Sequence, residues 1–202
     1  PVVLDDNGAW EAILENAYDI IVTGEINGED TLTFSIPFRD SKRKYLENEK
    51  KIQIVDDIYK VRTITDVKDS TGNTVTQVYA EAEFYDLTFS VRKEEKKFDA
   101  EMADVAMAYA LADTEWSVGT VNVTSKRTWT SSEKNALSIL RSVANLHGGD
   151  LVFDCPNRLV HLLTVNGKDS GALFAYKKNM KSIERVVDTR SLVTRLYATG
   201  AN

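Results

Sequence analysis

A β-dominated α+β fold is what the sequence predicts, and two observations predict it. The first ~90 residues alternate apolar and polar side chains with a period of two, the pattern of half-buried strands. After the charged run Arg92-Lys93-Glu94-Glu95-Lys96-Lys97 the period changes, and apolar residues recur at helical spacing in two stretches. The reading is a β domain over residues 1–91, a solvated linker, and a small α+β domain of two helices on a sheet over 98–180. Residues 181–202 are read as strands that leave it.

Within the β half, Thr31-Leu32-Thr33-Phe34-Ser35-Ile36 alternates strictly and puts Leu32, Phe34 and Ile36 on one face. Tyr18, Ile20, Val22 and Ile26 keep the same phase, with Gly24 between. Ile26-Asn27-Gly28-Glu29 separates the two runs. Asn-Gly tolerates positive φ at both central positions, so a hairpin closed by a type I′ turn is expected. Ile52 and Ile54 form the next strand, and Asp56-Asp57 turns the chain. Tyr59 and Val61 resume the alternation, which slips by one residue before Ile64, the sign of a bulge. Val78, Ala80, Ala82 and Phe84 read as one long strand after a turn at Asp69-Ser70-Thr71-Gly72-Asn73. Ala9–Ala17 holds good helix formers, yet Trp10, Ala12 and Leu14 alternate, and its neighbours are strands, so it too is read as strand.

In the second half Met102, Val105, Ala106 and Tyr109 repeat at helical spacing, with Asp99 as the N-cap. Thr130-Ser131-Ser132-Glu133 matches a capping box, followed by the apolar stripe Ala136, Leu137, Leu140, Val143 and Ala144. Gly148-Gly149 ends that helix in the left-handed conformation. Leu151–Cys155 and Leu159–Val165 read as strands on either side of the turn Pro156-Asn157-Arg158. Ile183–Val187 and Leu192–Tyr197 alternate as further strands. A strand ending at Thr199-Gly200-Ala201-Asn202 would be half-paired, so the polypeptide is expected to continue, and Pro1 is expected to have lost a preceding Met or tag.

The chain of 202 residues is 43% hydrophobic and 28% charged, enough to bury a core. It has no apolar run near the roughly 20 residues of a membrane helix and no signal-peptide pattern. The net charge of −6 runs against a phosphate-binding surface. The basic residues Arg39, Lys42, Arg43, Lys44, Lys50 and Lys51 are diluted by Asp40, Glu47 and Glu49 and read as a solvated face. Cys155 is the single cysteine, so no intrachain disulfide forms, which favours folding in a reducing compartment.

Chemistry is sparse. A nucleophilic triad needs a base within reach of Ser, Cys or Thr, and there are two histidines. His147 ends the second helix, where it is expected to cap the last carbonyls. His161 alternates with Leu159 and Leu163 on a strand and reads as structural. Cys155, His161 and His147 would have to converge to hold a metal, and no close ligand pair supports that. No Walker loop or G-x-G-x-x-G is present, and Gly148-Gly149 follows a helix instead of preceding one. The 31 Asp and Glu residues offer many carboxylate pairings, none in a recognisable setting. No catalytic, cofactor or metal site is assigned.

Three stretches carry a resemblance. They are Val22-Thr23-Gly24-Glu25-Ile26-Asn27-Gly28 with Leu32 to Pro37; Tyr45-Leu46-Glu47-Asn48-Glu49 with Ile52-Gln53-Ile54 and Tyr59-Lys60-Val61; and Lys178 to Arg185 with Leu192 to Gly200. In this order they resemble the N-terminal structural region of tail-tip proteins of siphophages and prophages (prophage endopeptidase tail, tail-associated lysin or minor structural protein). Trp116-Ser117-Val118-Gly119 resembles that family's TGW-x-VG element, with Glu115 where Gly is common. Tyr197-Ala198-Thr199-Gly200 departs from its usual Tyr-Pro-Tyr-Gly-like ending.

The resemblance implies a fold like the baseplate hub of contractile tails. The first domain would be barrel-like, the α+β domain inserted after it, and a second barrel would begin near Ile183. It implies a homotrimer in a virion tail tip, made in the host cytoplasm, with the distal tail and tape-measure proteins as partners. Any peptidoglycan-cleaving or receptor-binding activity would lie in C-terminal regions. DNA would pass through a central channel without specific binding, and net acidic charge suits such a passage. The competing readings are a cell-wall peptidoglycan hydrolase and a carbohydrate- or receptor-binding module using Trp10, Trp116 and Trp129.

Overall fold

A computed structural model of the chain describes residues 1–68, 72–167, 170–173, 175, 176, 178–180, 182 and 184. It forms two compact units, Pro1–Asn166 and Gly167–Asn202.

The first unit opens with seven strands: β1 (Val2–Leu4), β2 (Trp10–Ile13), β3 (Tyr18–Gly24), β4 (Asp30–Pro37), β5 (Lys51–Ile54), β6 (Asp57–Lys68) and β7 (Thr74–Ala82). They make one antiparallel sheet in the order β2-β1-β5-β6-β7-β4-β3. The period-two pattern sorts its two faces. One cross-strand row runs Ala12–Val3–Ile52–Tyr59–Ala82, and another runs Leu32–Ala80–Val61. All eight are buried in the core. The slip predicted before Ile64 is a bulge in β6 between Val61 and Thr63, and of the Ala9–Ala17 stretch read as strand only Trp10–Ile13 forms one, with a turn at Glu15-Asn16 after it.

Phe84 corrects the expected long strand. β7 stops at Ala82, and Glu83–Thr88 is a 3-10 helix. The turn at 69–73 and the strands at 183–187 and 192–197 lie wholly or largely outside the described residues.

The chain continues as β8 (Val91–Arg92), β9 (Lys96–Glu101), α1 (Ala103–Leu111), β10 (Ser117–Val121), β11 (Arg127–Ser131), β12 (Lys134–Asn135), α2 (Ala136–His147), β13 (Asp150–Asp154) and β14 (Leu159–Leu163). β10-β14-β13 form a three-stranded sheet, while β11 pairs with β9 and β12 with β8. The charged run is therefore not a free linker. Arg92 pairs with Lys134, and Lys96 and Lys97 pair with Ser131 and Thr130. The Lys96 and Lys97 side chains stay in water while the backbone joins a ladder, whereas the Arg92 guanidinium turns in to donate to the Ala110 carbonyl.

Both helices form at the predicted positions, but neither has the predicted cap. Met102 occupies the N-cap of α1 with no side-chain bond, and Asp99 accepts a hydrogen bond from the Thr128 hydroxyl instead. Asn135 caps α2, its Oδ1 taking the Ser138 N–H at 2.8 Å. The Thr130–Glu133 box fails because Ser131 is already a buried strand residue. Gly148 follows α2 at φ 81°.

In the second unit Tyr176 bridges Met180, and the Asn179 amide ties Ala175 N–H and Leu173 C=O, both at 2.8 Å.

Candidate functional site

The large sheet ends in two exposed edges. All seven residues of β3 are exposed, including Tyr18, Ile20, Ile21 and Val22, and Asp19 is its single charge. Val22 lies opposite the core residue Leu32, so the apolar face continues past the point where the core covers it. The outer edge of β3 has no strand partner among the described residues. A bulge between Tyr18 and Ile21, with Asp19 at φ 50°, and the Asp19 charge itself are the protection this edge shows among the described residues. At the other edge β2 exposes Trp10 and Ile13, and Trp10 Nε1 donates to Gln53 at 3.1 Å.

The tip of the β3–β4 hairpin is fastened to the α2–β13 corner. The Asn27 amide accepts the Leu151 N–H at 2.7 Å and donates to the Gly149 carbonyl at 3.1 Å. Arg141 donates to the Gly28 carbonyl at 2.9 Å. The hairpin is the predicted one, but its turn is not type I′. Gly28 N–H closes on the Glu25 carbonyl, and positive φ falls on Asn27 without Gly28.

A second fastener surrounds Glu83, 1% exposed. Lys51 Nζ and Arg158 Nη2 both reach Glu83 Oε1 at 2.8 Å. Arg158 also pairs with Glu115 and lies over the Trp116 ring. An open cleft of about 480 Å³ runs beside these groups. Nearby, Arg62 binds Glu49, Glu81 and Asp86, and Lys60 joins Asp86. Burial opposes the Arg62 charge, but the hydrogen bonds it donates to Asp86 and Glu49 outweigh it and raise its pKa. Burial likewise works against the Asp86 carboxylate, and the bonds from Lys60 and Arg62 still hold it below the usual range. Every cation in this cluster is matched by a carboxylate, the pattern of a structural network.

The residues weighed for chemistry are dispersed. His147 is buried, and its Nδ1 lies 2.9 Å from the Ser125 carbonyl. It therefore does not cap its own helix; the Ser125 hydroxyl does, donating to the His147 carbonyl at 3.0 Å. His161 Nδ1 accepts the Thr120 N–H at 2.8 Å. Burial, with Glu83 nearby, pushes the Cys155 thiol up to about 12, so at neutral pH the free thiol is protonated and a weak nucleophile. Among the described residues no three His, Cys, Asp or Glu groups are placed to hold a metal. The tryptophans are scattered: Trp116 is buried, Trp129 stacks on Phe98, and Trp10 is exposed. The basic stretch is less solvated than read, because Lys42, Arg43, Lys50 and Lys51 each hold a carboxylate from another element.

Asn27, Glu83 and Arg158 were not singled out by the sequence. Only Asn-Gly signalled that residue 27 was special. Glu83 gave no signal, since its partner Arg158 lies 75 residues away.

Comparison with known proteins accounts for this organisation. The prophage endopeptidase tail N-terminal domain matches residues 1–82, the prophage endopeptidase tail domain residues 90–162, and the prophage endopeptidase tail residues 168–202. No curated protein matches the chain. Among solved structures, prophage tail protein gp18 from Listeria monocytogenes EGD-e is similar, with TM-score 0.72 and 14% identity over 89% of this chain and 56% of that one. The 43 kDa tail protein of prophage MuSo2 from Shewanella oneidensis gives TM-score 0.60 at 12% identity, over 90% and 58%. The tail protein from Neisseria meningitidis MC58 gives 0.55 at 12%, over 85% and 51%. At these identities the likeness is one of fold, and the chain spans a little over half the length of each. Three successive family domains and a shared β-dominated fold place the chain in the prophage endopeptidase tail family, as a component of a phage tail.

Proposed function

We propose that the chain is a structural part of the tail tip and does no chemistry of its own. In this reading residues 1–91 are the barrel-like hub domain, 98–180 the inserted α+β domain, and 181–202 the lead into a second barrel. Three copies of the full-length protein form a ring between the tail tube and the distal tip, in contact with the distal tail and tape-measure proteins. The ring takes part in host attachment and lets DNA through. The observation that carries the reading is β3: a seven-residue edge strand, exposed throughout, apolar, with one charge. Natural sheets blunt such edges or finish them with a neighbour. The charged clusters support it, because they are spent on pairing elements of the chain with one another.

The test is the mass of the full-length protein by light scattering, with Ile21→Lys/Val22→Lys as the variant. Both side chains are exposed, so the fold should survive, which circular dichroism checks. A wild-type trimer that becomes a folded monomer supports the proposal. A wild type that is monomeric at high concentration, or a variant that still assembles, overturns it.

A further inference from the structure

Asn-Gly pairs occur at Asn7-Gly8, Asn27-Gly28 and Asn166-Gly167. Asn-Gly is the dipeptide most open to spontaneous deamidation, because glycine has no side chain to shield the nitrogen that attacks. In that reaction the glycine nitrogen bonds to the asparagine Cγ, and its proton ends on the departing group. The Cγ–Nδ2 bond breaks and ammonia leaves. Water then opens the five-membered imide to aspartate or to isoaspartate, the latter with an extra carbon in the main chain.

The fold treats the three pairs differently. Asn7 and Asn166 are exposed, as are their glycines, and neither side-chain amide has a hydrogen-bond partner among the described residues. Asn27 and Gly28 are half-buried. The Asn27 amide is held at both ends, by the Leu151 N–H at 2.7 Å and the Gly149 carbonyl at 3.1 Å, and Arg141 fixes the Gly28 carbonyl at 2.9 Å. To reach the Gly28 nitrogen, the Asn27 Cγ must turn its amide away from both partners. Gly28 N–H is also tied to the Glu25 carbonyl at 3.0 Å, but so is Gly8 N–H to that of Asp5. The grip on the side chain is therefore what sets Asn27 apart.

We infer that Asn27 is a latent modification site, closed while the β3–β4 tip grips the α2–β13 corner and open to deamidation when the tip lets go. The conversion makes the release one-way. Aspartate cannot donate to the Gly149 carbonyl and sets a charge against its oxygen, and isoaspartate moves the carboxyl group out of place altogether. A tip that has stayed open is thereby marked covalently, whereas Asn7 and Asn166 age at the same pace whether it is open or shut. The chemistry does not depend on the chain forming a ring.

In the experiment the purified chain is held in mildly alkaline buffer with and without denaturing guanidinium. Peptide mapping by mass spectrometry, with an isoaspartyl methyltransferase assay, follows each pair. Each site's rate in the folded chain is divided by its own rate in the unfolded one. For Asn7 and Asn166 that ratio should be near unity. For Asn27 it should be roughly a hundredfold lower, the factor that three such hydrogen bonds set against local opening. Arg141→Met, which keeps an aliphatic stem and loses the donor, should raise the Asn27 ratio about fivefold and leave the other two alone. An Asn27 ratio no smaller than the others, or one unmoved by Arg141→Met in a chain with native circular dichroism, overturns the proposal. The wild-type ratios decide even if that variant fails to fold. Asn27→Asp, which carries one of the two products from the start, should unfold at a lower denaturant midpoint than wild type; an equal or higher midpoint overturns the one-way release.

Discussion

The side-chain amide of Asn27 stands in for a strand residue on the edge of β13, accepting the Leu151 N–H at 2.7 Å while donating to the Gly149 carbonyl at 3.1 Å. One short polar side chain therefore closes two backbone groups 122 and 124 residues away. Asn27 sits at φ 60°, so two substitutions separate its roles. Asn27→Gly keeps the backbone relaxed and loses both bonds, at about 1 kcal/mol each. Asn27→Ala loses the same bonds and adds left-handed strain of roughly 1–2 kcal/mol. Urea unfolding of the chain should rank them wild type, Gly, then Ala. Equal stability of Gly and wild type would show that the amide contributes nothing.

Glu83 should be more costly to alter than any surface pair. Its carboxylate is buried, yet Lys51 and Arg158 are each about 30% open to water, so they can re-solvate when it is removed. Glu83→Gln is expected to cost about 2 kcal/mol, below the 3–5 of a fully buried pair. Asp113→Asn, at the exposed end of the Arg92 pair, should cost less than 1 kcal/mol. The comparison is made by thermal and chemical unfolding of both variants under one buffer.

How much of this was legible in the sequence depends on the range of the cause. The core rows were, because Leu32, Phe34 and Ile36 alternate within six residues and strand geometry is local. So was the bulge before Ile64. Caps were not: the motif at Thr130–Glu133 is chemically sound, but pairing with β9 drew Ser131 into a strand first, and Asn135 took the position. The run from Arg92 to Lys97 misled for a related reason, since charge governs where side chains go and says little about whether the backbone joins a ladder. Of the candidate site, the apolar pattern of β3 was readable, but not its exposure, because alternation does not tell a covered strand from an edge. Glu83 was invisible, its cations coming from distant segments.

Val55 predicts a stabilising change. It sits at φ 55° in the β5–β6 turn, 83% exposed, a conformation a β-branched residue enters only under strain. Val55→Gly removes roughly 1–2 kcal/mol of strain and restores about 0.5–1 kcal/mol of unfolded-chain entropy. The net gain should be on the order of 0.5–1 kcal/mol, seen as a higher urea midpoint at unchanged slope. A loss of stability would mean the valine side chain makes a contact that outweighs its strain.

Gly119 should tolerate no side chain. A Cβ there would meet the His161 ring at 2.5 Å from Cε1 and 2.6 Å from Nδ1, and the ring is held in place by the Thr120 N–H. This is the glycine of the Trp116-Ser117-Val118-Gly119 element, and its reason is steric. Gly119→Ala is expected to cost about 1–3 kcal/mol through overpacking. The double change Gly119→Ala/His161→Ala should recover part of it. No recovery would place the strain elsewhere than the ring.

Two carboxylates should bend the pH dependence of stability in opposite directions. Burial raises Asp30 above its ordinary 3.8, and the bond from the Tyr59 hydroxyl pulls it only part of the way back. A group whose folded pKa is raised favours folding most below the ordinary value and loses that contribution as pH climbs through the folded one. Asp86 is the reverse: burial resists its charge, Lys60 and Arg62 overcome that, and its contribution is present above 3.8 and lost as pH falls through the lowered value. Asp30→Asn should therefore raise the melting temperature near neutral pH and lose that advantage in acid, since Asn can still accept the Tyr59 hydroxyl. Asp86→Asn should lower it near neutral pH, with the difference narrowing in acid. Melting curves from pH 3 to pH 8 test both, and parallel curves for wild type and Asp30→Asn would mean that the Asp30 charge carries no burial cost.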